Sequence, residues 1–584
     1  MMDQGVVMDE VFLSIGWWGR YQRIQFLMTM LPVLACAVHV MSVVFIGRAV
    51  QHTCSPLTSL NITLEDGGQT TDYDVILNSR NLSLNVTYGA CSVDVTNGSH
   101  VVYSSTCLNG YQYAEPRDRS FVSEWDLVCE GESLSDVSQT LLSLGQMAGA
   151  LIFTALADVY GRKPTYMITH LLLFAVAVGI AFSPSFIVFA VLRFLIGAFQ
   201  QGTGLISNVL LLEMLPTQQR ALPSQVGSYV WPGSLLVLCL CAYVTKDVSW
   251  QYTELLLAGL SIYVLFQWWI TDESIRWLLA NNKLATAEKI LYKATKSNKV
   301  DFNKALELMR SGDLRMSTLP TELKVQDSVR QTQVHDSDRN MPDVSSSEVP
   351  VPSAPASEEL RFSAFVRNKN IFVITAISCY MWFADSLTYY GLLMTSTSLT
   401  DDFYLGFFVN VLVELPAAFA FGVLINRIGR KKCIFIFHVI AGFSLLTSEV
   451  LSNAPFAEAI PGRKWIIMGV SLLGKFGISV GFGTLFLYSP ELYPTNLRNS
   501  GFGISSMAAR VGGMVAPYSR TFARHVAWGP GAVFTCLCLL VPVLIGFLPE
   551  THGHELPQTI ADMDKWIDST RRKRSKKDRH GQIH

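Results

Sequence analysis

The chain has 584 residues, 50% of them hydrophobic and 16% charged, with a net charge of −1. Soluble domains carry about 25% charged residues, so this composition speaks against a soluble fold. The near-zero net charge leaves no electrostatic case for nucleic acid.

Residues 1–23 mix polar and apolar side chains and read as a cytoplasmic N-terminus. No cleavable signal peptide precedes the first apolar run at 24–46, which is long enough to remain as a spanning helix. Residues 48–134 form a large outer loop. It holds Cys54, Cys91, Cys107 and Cys129, and N-x-[S/T] sequons at Asn61, Asn81, Asn85 and Asn97. Glycans and disulfides both belong to the oxidising side of a membrane. Four cysteines allow three pairings, and free thiols are the plainer alternative. The other seven cysteines lie in or beside apolar runs, where Cys packs as a small hydrophobe.

Runs at 137–157, 165–183, 186–212, 224–245 and 252–271 complete a first group of six, residues 24–271. The segment 272–370 is a central cytoplasmic loop. Its part from Arg276 to Met309 has helical periodicity, and 311–358 is a Ser/Pro-rich disordered tether unable to build a core. The tether reads as a spacer, and as a candidate for phosphorylation or for cytoplasmic regulatory partners. A second group, 371–548, has runs at 371–394, 403–425, 433–452, 465–488, 500–522 and 528–548. The eleventh, with Arg510 and several Gly and Ser, is the least regular. A basic cytoplasmic tail, 549–584, follows. The expectation is an all-α membrane protein of twelve transmembrane helices in two pseudo-symmetric six-helix bundles, with the lipid bilayer as solvent.

Orientation follows the basic loops. Arg162-Lys163, Arg220, Arg427 to Lys432 and the tail Arg571 to Lys577 follow even-numbered helices, whereas the loops after helices 3 and 7 lack Lys and Arg. Arg463-Lys464 and Arg520/Arg524 run against the contrast without reversing it. Both termini are therefore expected on the cytoplasmic side.

The two groups repeat one another. Glu213-Met-Leu-Pro-Thr-Gln-Gln-Arg220 and Glu491-Leu-Tyr-Pro-Thr-Asn-Leu-Arg498 both read E-x-x-P-T-x-x-R. Asp158-Val-Tyr-Gly161-Arg162-Lys163 is matched by Asn426-Arg427-Ile-Gly429-Arg430-Lys431, and Asp272-Glu273-Ser274 by Pro549-Glu550-Thr551. Doubled bundles with a site between the halves are how secondary transporters are built. Helix ends leave backbone groups without partners, and an Arg in one loop can reach a carboxylate at a neighbouring helix end. Asp158, Arg162, Glu213, Arg220, Glu273, Arg276, Arg427, Arg430, Glu491, Arg498 and Glu550 are thus candidates for an inner clasp that closes as the halves rock. The repeated spacing singles out Glu213/Arg220 and Glu491/Arg498. Gly161 and Gly429 permit the sharp turn. For Arg162, Lys163 and Lys432 taken alone, a topology anchor suffices.

The Asp158-to-Lys163 phrase resembles the signature loop of the major facilitator superfamily. Its organic cation/carnitine/anion transporter branch is resembled by Gly19-Arg-Tyr-Gln-Arg23, Ser123-Glu-Trp-Asp-Leu-Val-Cys129, Glu273-Ser-Ile-Arg-Trp-Leu-Leu279, Glu491-Leu-Tyr-Pro494 with Arg498-Asn, and Leu548-Pro-Glu-Thr551 with Leu556-Pro-Gln-Thr-Ile560. The large glycosylated loop also looks like that branch. The likeness covers all but the tether, which is longer than usual. Members have Pro where Asp272 and Ile275 stand, and an acid where Asn426 stands, which implies a weaker second clasp.

Ionisable groups inside spans are costly and default to functional candidates. Arg193, Asp385, Glu414, Glu449, Lys475 and Arg510 qualify. Trp382, Asp385 and Tyr389, at i, i+3 and i+7, share a helix face, and an aromatic face beside a carboxylate suits an organic cation. Glu414 precedes Pro416, where a kink opens the helix. Arg510 stands in Ala508-Ala-Arg-Val-Gly-Gly513 and suits a carboxylate. Arg193 and Glu449 read as structural. The resemblance implies that Arg510 occupies a position acidic in cation transporters and Arg in anion and carnitine members. It places Lys475 in a phrase shared by the latter two, and Ala418 where anion members have Lys. Gln201 and Gly204 stand where cation members have Lys and Trp. The substrate-binding candidates are thus Trp382, Asp385, Tyr389, Glu414, Lys475 and Arg510. Their mixed charge fits a carnitine-like zwitterion, and the plainer reading is that these charges pair with one another.

The expected function is transport of small organic ions, cationic or zwitterionic, across the plasma membrane by alternating-access rocking. An organic anion exchanger on the same fold and a transport-inactive receptor or scaffold are the alternatives. No nucleotide loop or metal-ligand spacing points to an enzyme. No cofactor is expected, and coupling to Na⁺ or H⁺ is open.

Overall fold

The computed structural model describes residues 2–317, apart from 57–58, 67–68, 77–83, 98–99 and 220–221, and residues 365–566, apart from 366, 397–399, 401, 495–496, 554–556, 558–559 and 561. Ten described helices are long and apolar enough to cross a membrane. In hydrocarbon the backbone must satisfy its own hydrogen bonds, so apolar runs of this length fold as helices. Spans 1 to 6 are Arg20–Ile46, Glu132–Tyr160, Arg162–Ala181, Phe186–Glu213, Leu222–Val244 and Trp250–Ile270. Spans 7 to 10 are Lys369–Thr395, Phe403–Ile428, Arg430–Asn453 and Arg463–Glu491.

The last two expected runs are helical but fall outside those ten. Span 11 is two helices, Arg498–Val515 and Tyr518–His525, and span 12 is Gly529–Ile545. The break in span 11 precedes Pro517, whose ring clashes with the carbonyl four residues back. The same clash breaks span 8, where Phe403–Leu412 stops four residues before Pro416 and Glu414–Ile428 resumes. Span 6 is also interrupted, between Gly259 and Val264.

Within the first half, spans 2 and 4 touch backbone to backbone. A Cβ at Gly145 would meet the Phe194 carbonyl oxygen at 2.0 Å, one at Gly149 that of Ala198 at 2.2 Å, and one at Gly197 that of Leu142 at 2.1 Å. Between membrane helices the driving force is close packing, which small residues four apart allow. Gly477 and Gly512 play this part in the second half, against the carbonyls of Phe437 and Phe383.

Two extramembrane units flank the bundle. The 48–134 loop carries seven short strands: β1 His52–Cys54, β2 Ser59–Asp66, β3 Gln69–Ile76, β4 Leu84–Tyr88, β5 Val93–Asn97, β6 His100–Ser105 and β7 Tyr111–Tyr113. β1 pairs with β7, β2 with β3, and β4–β5–β6 form a three-stranded sheet. Of the three pairings open in the sequence, the structure has Cys54–Cys107 and Cys91–Cys129. Asn61, Asn85 and Asn97 fall on β2, β4 and β5, and Asn81 lies outside the described residues.

At the opposite end, Met2–Ser14, within the mixed polar and apolar N-terminal segment, is a helix. It packs on helices Leu284–Asn298 and Phe302–Ser317 around Val11, Phe12, Leu291, Ala294 and Met309. The expected tether from 311 thus begins as helix as far as Ser317, and its remainder, like the tail after 566, lies outside the described residues.

We name the end bearing the strands the outer end. Contacts between the halves cluster from the middle of the spans to that end. Thr140 Oγ1 donates to the Met514 carbonyl (2.9 Å) and Thr521 Oγ1 to Asp136 (2.5 Å), while Arg524 pairs with Glu132. Phe45 packs against Phe403 and Phe407.

Gly149→Val should strain the span 2–span 4 contact by about 1–3 kcal/mol, lowering the thermal midpoint of the detergent-purified protein. Gly227→Ala, where an added Cβ meets nothing within 4 Å, should leave it unchanged. Equal midpoints for both variants would contradict the close approach.

Candidate functional site

The inner markers assemble within each half. Gly161 (φ 113°) and Gly429 (φ 90°) turn the chain into spans 3 and 9 in a conformation that favours glycine. The Glu273 carboxylate accepts the N–H groups of Arg162 and Lys163, both at 3.1 Å, and Glu550 accepts that of Arg430 at 3.0 Å. Each carboxylate thereby caps orphan donors at the positive end of a helix dipole. The fit is close, since a Cβ at Gly161 would lie 2.5 Å from Glu273 and one at Gly429 2.8 Å from Glu550. Burial nonetheless outweighs these bonds and raises the Glu273 carboxyl above its usual range.

Arg162 lies 3.3 Å from Glu213 and 3.0 Å from Asp158, and Arg430 lies 3.3 Å from Glu491. Asn426 provides no carboxylate to match Asp158, and Arg430 turns to the His552 ring. These contacts differ from the expected pairing in two ways. They lie within one half and so do not themselves close the inner side as the halves rock, and the partner of each E-x-x-P-T glutamate is the arginine after the turn glycine rather than the arginine of its own phrase. Arg498 instead donates to the Pro490 carbonyl (3.2 Å), Arg220 lies outside the described residues, and Arg427 is exposed. Arg276 donates to the Glu213 carbonyl (3.1 Å) and pairs with Asp9 (2.6 Å), which also accepts the Thr217 N–H (3.1 Å). Burial opposes ionisation of Asp9, but the Thr217 and Arg276 donors outweigh it and hold its carboxyl below the usual range.

A small cleft lies between the halves toward the outer side. Span 2 contributes Gln139, Ser143 and Gln146, and the second half contributes Tyr390, Arg510 and Gly513. Arg510 Nη1 donates to Gln146 Oε1 (3.2 Å), and Gln146 Nε2 donates to Gln200 Oε1 (2.7 Å). The Arg510 guanidinium is thus aimed by a neutral amide from the opposite half.

The other candidate charges are engaged. Glu414 lies 2.9 Å from Lys475 Nζ and accepts the Tyr389 hydroxyl (2.7 Å), which itself accepts from Trp231 Nε1 across the halves (2.9 Å). Lys475 Nζ also stands 3.4 Å above the Tyr389 ring. Its contact with Glu414 is an ion contact rather than an aligned hydrogen bond, because neither atom meets bonding geometry. Asp385, fully buried, turns to His438 on span 9 at 2.6 Å. Trp382 packs among Phe482, Phe486 and Phe502. The three residues expected on one face therefore part: Tyr389 faces the other half, Asp385 faces span 9, and Trp382 is packing. Glu449, read as structural, accepts from Asn453 (2.6 Å).

Arg193, also read as structural, is fully buried. It donates to Gln139 Oε1 (2.6 Å), the His39 carbonyl (3.2 Å) and Ser42 Oγ (3.4 Å). Beside it, His39 lies 3.7 Å from Glu254. The sequence reading missed His39, Glu254, His438, Gln146 and Asp9. Glu254 and His438 sit in apolar runs and were open to the same charge test; Gln146 carries no charge to draw notice.

Residues 134–517 match the Major Facilitator Superfamily. The chain is 29% identical over 565 residues to the organic cation transporter protein of Drosophila melanogaster, covering 95% of this chain and 94% of that protein. It is 29% identical to solute carrier family 22 member 3 of Mus musculus, covering 95% of each, and 29% identical to organic anion transporter 3 of Mus musculus, covering 97% and 96%. In fold it is similar to the xylose transporter XylE from E. coli in a partially occluded inward open conformation. The TM-score is 0.56 over 92% of this chain and 100% of that one, and the 14% identity limits the likeness to fold.

The lowered Asp9 carboxyl fixes a sign. Its contribution is present above the unfolded value near 3.8 and is lost as pH falls through the lower folded value. Docking of Met2–Ser14, read as protease protection in native membranes, should be unchanged by this group between pH 5 and pH 8. Asp9→Asn should weaken it by ~1 kcal/mol, roughly a fivefold faster cut. Equal protection in variant and wild type would remove Asp9 from the contact.

Proposed function

Because this chain belongs to the Major Facilitator Superfamily, we propose that it is a transporter, and not an enzyme, that carries small carboxylate-bearing organic ions, anions and zwitterions, across the plasma membrane with both termini cytoplasmic. One observation carries the substrate reading. Of the four candidate charges, Asp385, Glu414 and Lys475 have charged or titratable side-chain partners, whereas Arg510 has a neutral one and lines the cleft. A carboxylate can replace the Gln146 contact with two parallel charge-assisted bonds. The ring of Tyr390, which lines the cleft with Arg510, suits the cationic end of a zwitterion. A purely cationic substrate would find both carboxylates already paired. The organic cation and organic anion transporters among the relatives agree with the broad class.

Transport requires the site to open to each side in turn. In this structure the halves meet at the outer end, so the outward passage requires Arg524–Glu132, Thr521–Asp136, Thr140–Met514 and Trp231–Tyr389 to part. The clasps lie inside the halves and let each move as a rigid unit.

Uptake of p-aminohippurate, carnitine and tetraethylammonium in expressing cells, at equal surface density, tests this. The first two should enter and tetraethylammonium should not. Arg510→Asp should cut carboxylate uptake about 10- to 100-fold, the worth of a charge-assisted pair at ~1.5–3 kcal/mol. Tetraethylammonium uptake matching that of p-aminohippurate, and indifferent to Arg510→Asp, would overturn the carboxylate reading. Absence of flux for all three would favour a receptor or scaffold.

A further inference from the structure

Behind the cleft, the first half holds a second ionisable cluster that transport of the substrate alone does not use. His39 on span 1, Arg193 on span 4 and Glu254 on span 6 are 1%, 0% and 0% exposed. Both ring nitrogens of His39, both carboxylate oxygens of Glu254 and Nε of Arg193 lack a hydrogen-bond partner. Leaving buried polar atoms unpaired costs stability, and a cluster that keeps five of them in one place is poorly explained as a simple brace. By contrast, the Asp385–His438 pair in the second half closes at 2.6 Å and joins spans 7 and 9.

Two features tie the cluster to the substrate. Arg193 holds Gln139 at 2.6 Å, and Gln139 and Val40, next in sequence to His39, line the cleft that holds Arg510. The charges also sum in a particular way. Arg193 and Glu254 cancel, so one added proton on the His39–Glu254 pair leaves a net positive charge inside hydrocarbon, which is disfavoured. With Arg510 the protonated cluster holds two positive charges, and a carboxylate arriving in the cleft halves that excess, so proton and carboxylate favour one another.

We propose that His39 and Glu254, poised by Arg193, bind one proton together with each carboxylate substrate, making the protein a proton–carboxylate symporter. This rests on the carboxylate reading above. The step is a simple protonation. The pair takes a proton from water on the entry side, no electrons move, and the proton leaves on the far side as the substrate departs. One proton and one carboxylate cross without net charge. The charged and titratable groups that act on the pair are Arg193 on span 4 and His170 on span 3, whose Nδ1 lies 3.2 Å from Gln267 and whose ring stands beside those of Tyr166 on span 3 and Tyr263 on span 6; Cys36 of span 1 acts on Tyr166.

The test uses the full-length protein in proteoliposomes with p-aminohippurate, and empty liposomes as control for passive permeation of the acid. Exchange at equal pH measures the carrier by itself. An outside-acid gradient should raise wild-type initial uptake at least fivefold. Glu254→Gln and His39→Gln should keep equal-pH exchange within about twofold and lose the gradient response. In detergent, an indicator dye should record roughly one proton taken up per p-aminohippurate bound by wild type, and none by Glu254→Gln. The inference is overturned if wild type exchanges without responding to the gradient, or if both variants keep the response. If wild type neither exchanges nor binds p-aminohippurate, the carboxylate reading falls, and this inference with it.

Discussion

A charge inside hydrocarbon must find a partner, and the interior of this protein is arranged around that requirement. Asp385 takes His438, Glu414 takes Lys475, and Arg193 takes Gln139 and two groups on span 1. Each contact joins different spans, so settling a charge also fixes how helices sit against one another. Arg510 is settled differently. Its partner belongs to the opposite half, through a contact that a rocking motion must break. A charge whose partner is lost during motion has reason to accept a replacement, and a mobile carboxylate is one.

The same economy governs the inner ends. One glutamate serves each half by capping the helix that follows the turn glycine, while the adjacent arginine reaches the carboxylate at the end of the fourth helix of that half. Three elements distant in sequence become one unit. The halves are not equal, however. The first has Asp158 and the docked N-terminal helix with Asp9, whereas the second has Asn426 and reaches to His552.

Much of this was legible in the sequence. Apolar length located the spans, because hydrocarbon imposes its thickness on any crossing helix. The doubled phrases located the clasps, but not their wiring. E-x-x-P-T-x-x-R suggested an internal pair, whereas Glu213 and Glu491 look to arginines about 50 to 60 residues earlier, a proximity that only packing creates. The candidate charges were visible singly; which of them neutralise each other depends on helix rotation, and a period of 3.6 specifies that too loosely. Asp385 shows the limit, since its helical position fits the aromatic face while its partner stands on span 9. Gly145, Gly149 and Gly197 looked like ordinary glycines until the carbonyls beneath them were in view.

The two outer disulfides interlace: Cys54 skips Cys91 to reach Cys107, and Cys91 skips Cys107 to reach Cys129. A nick anywhere between Cys54 and Cys129 therefore leaves both pieces covalently joined. The sequon-bearing strands stay moored to spans 1 and 2 even after a protease has cut them. This extramembrane unit can be nicked without being shed.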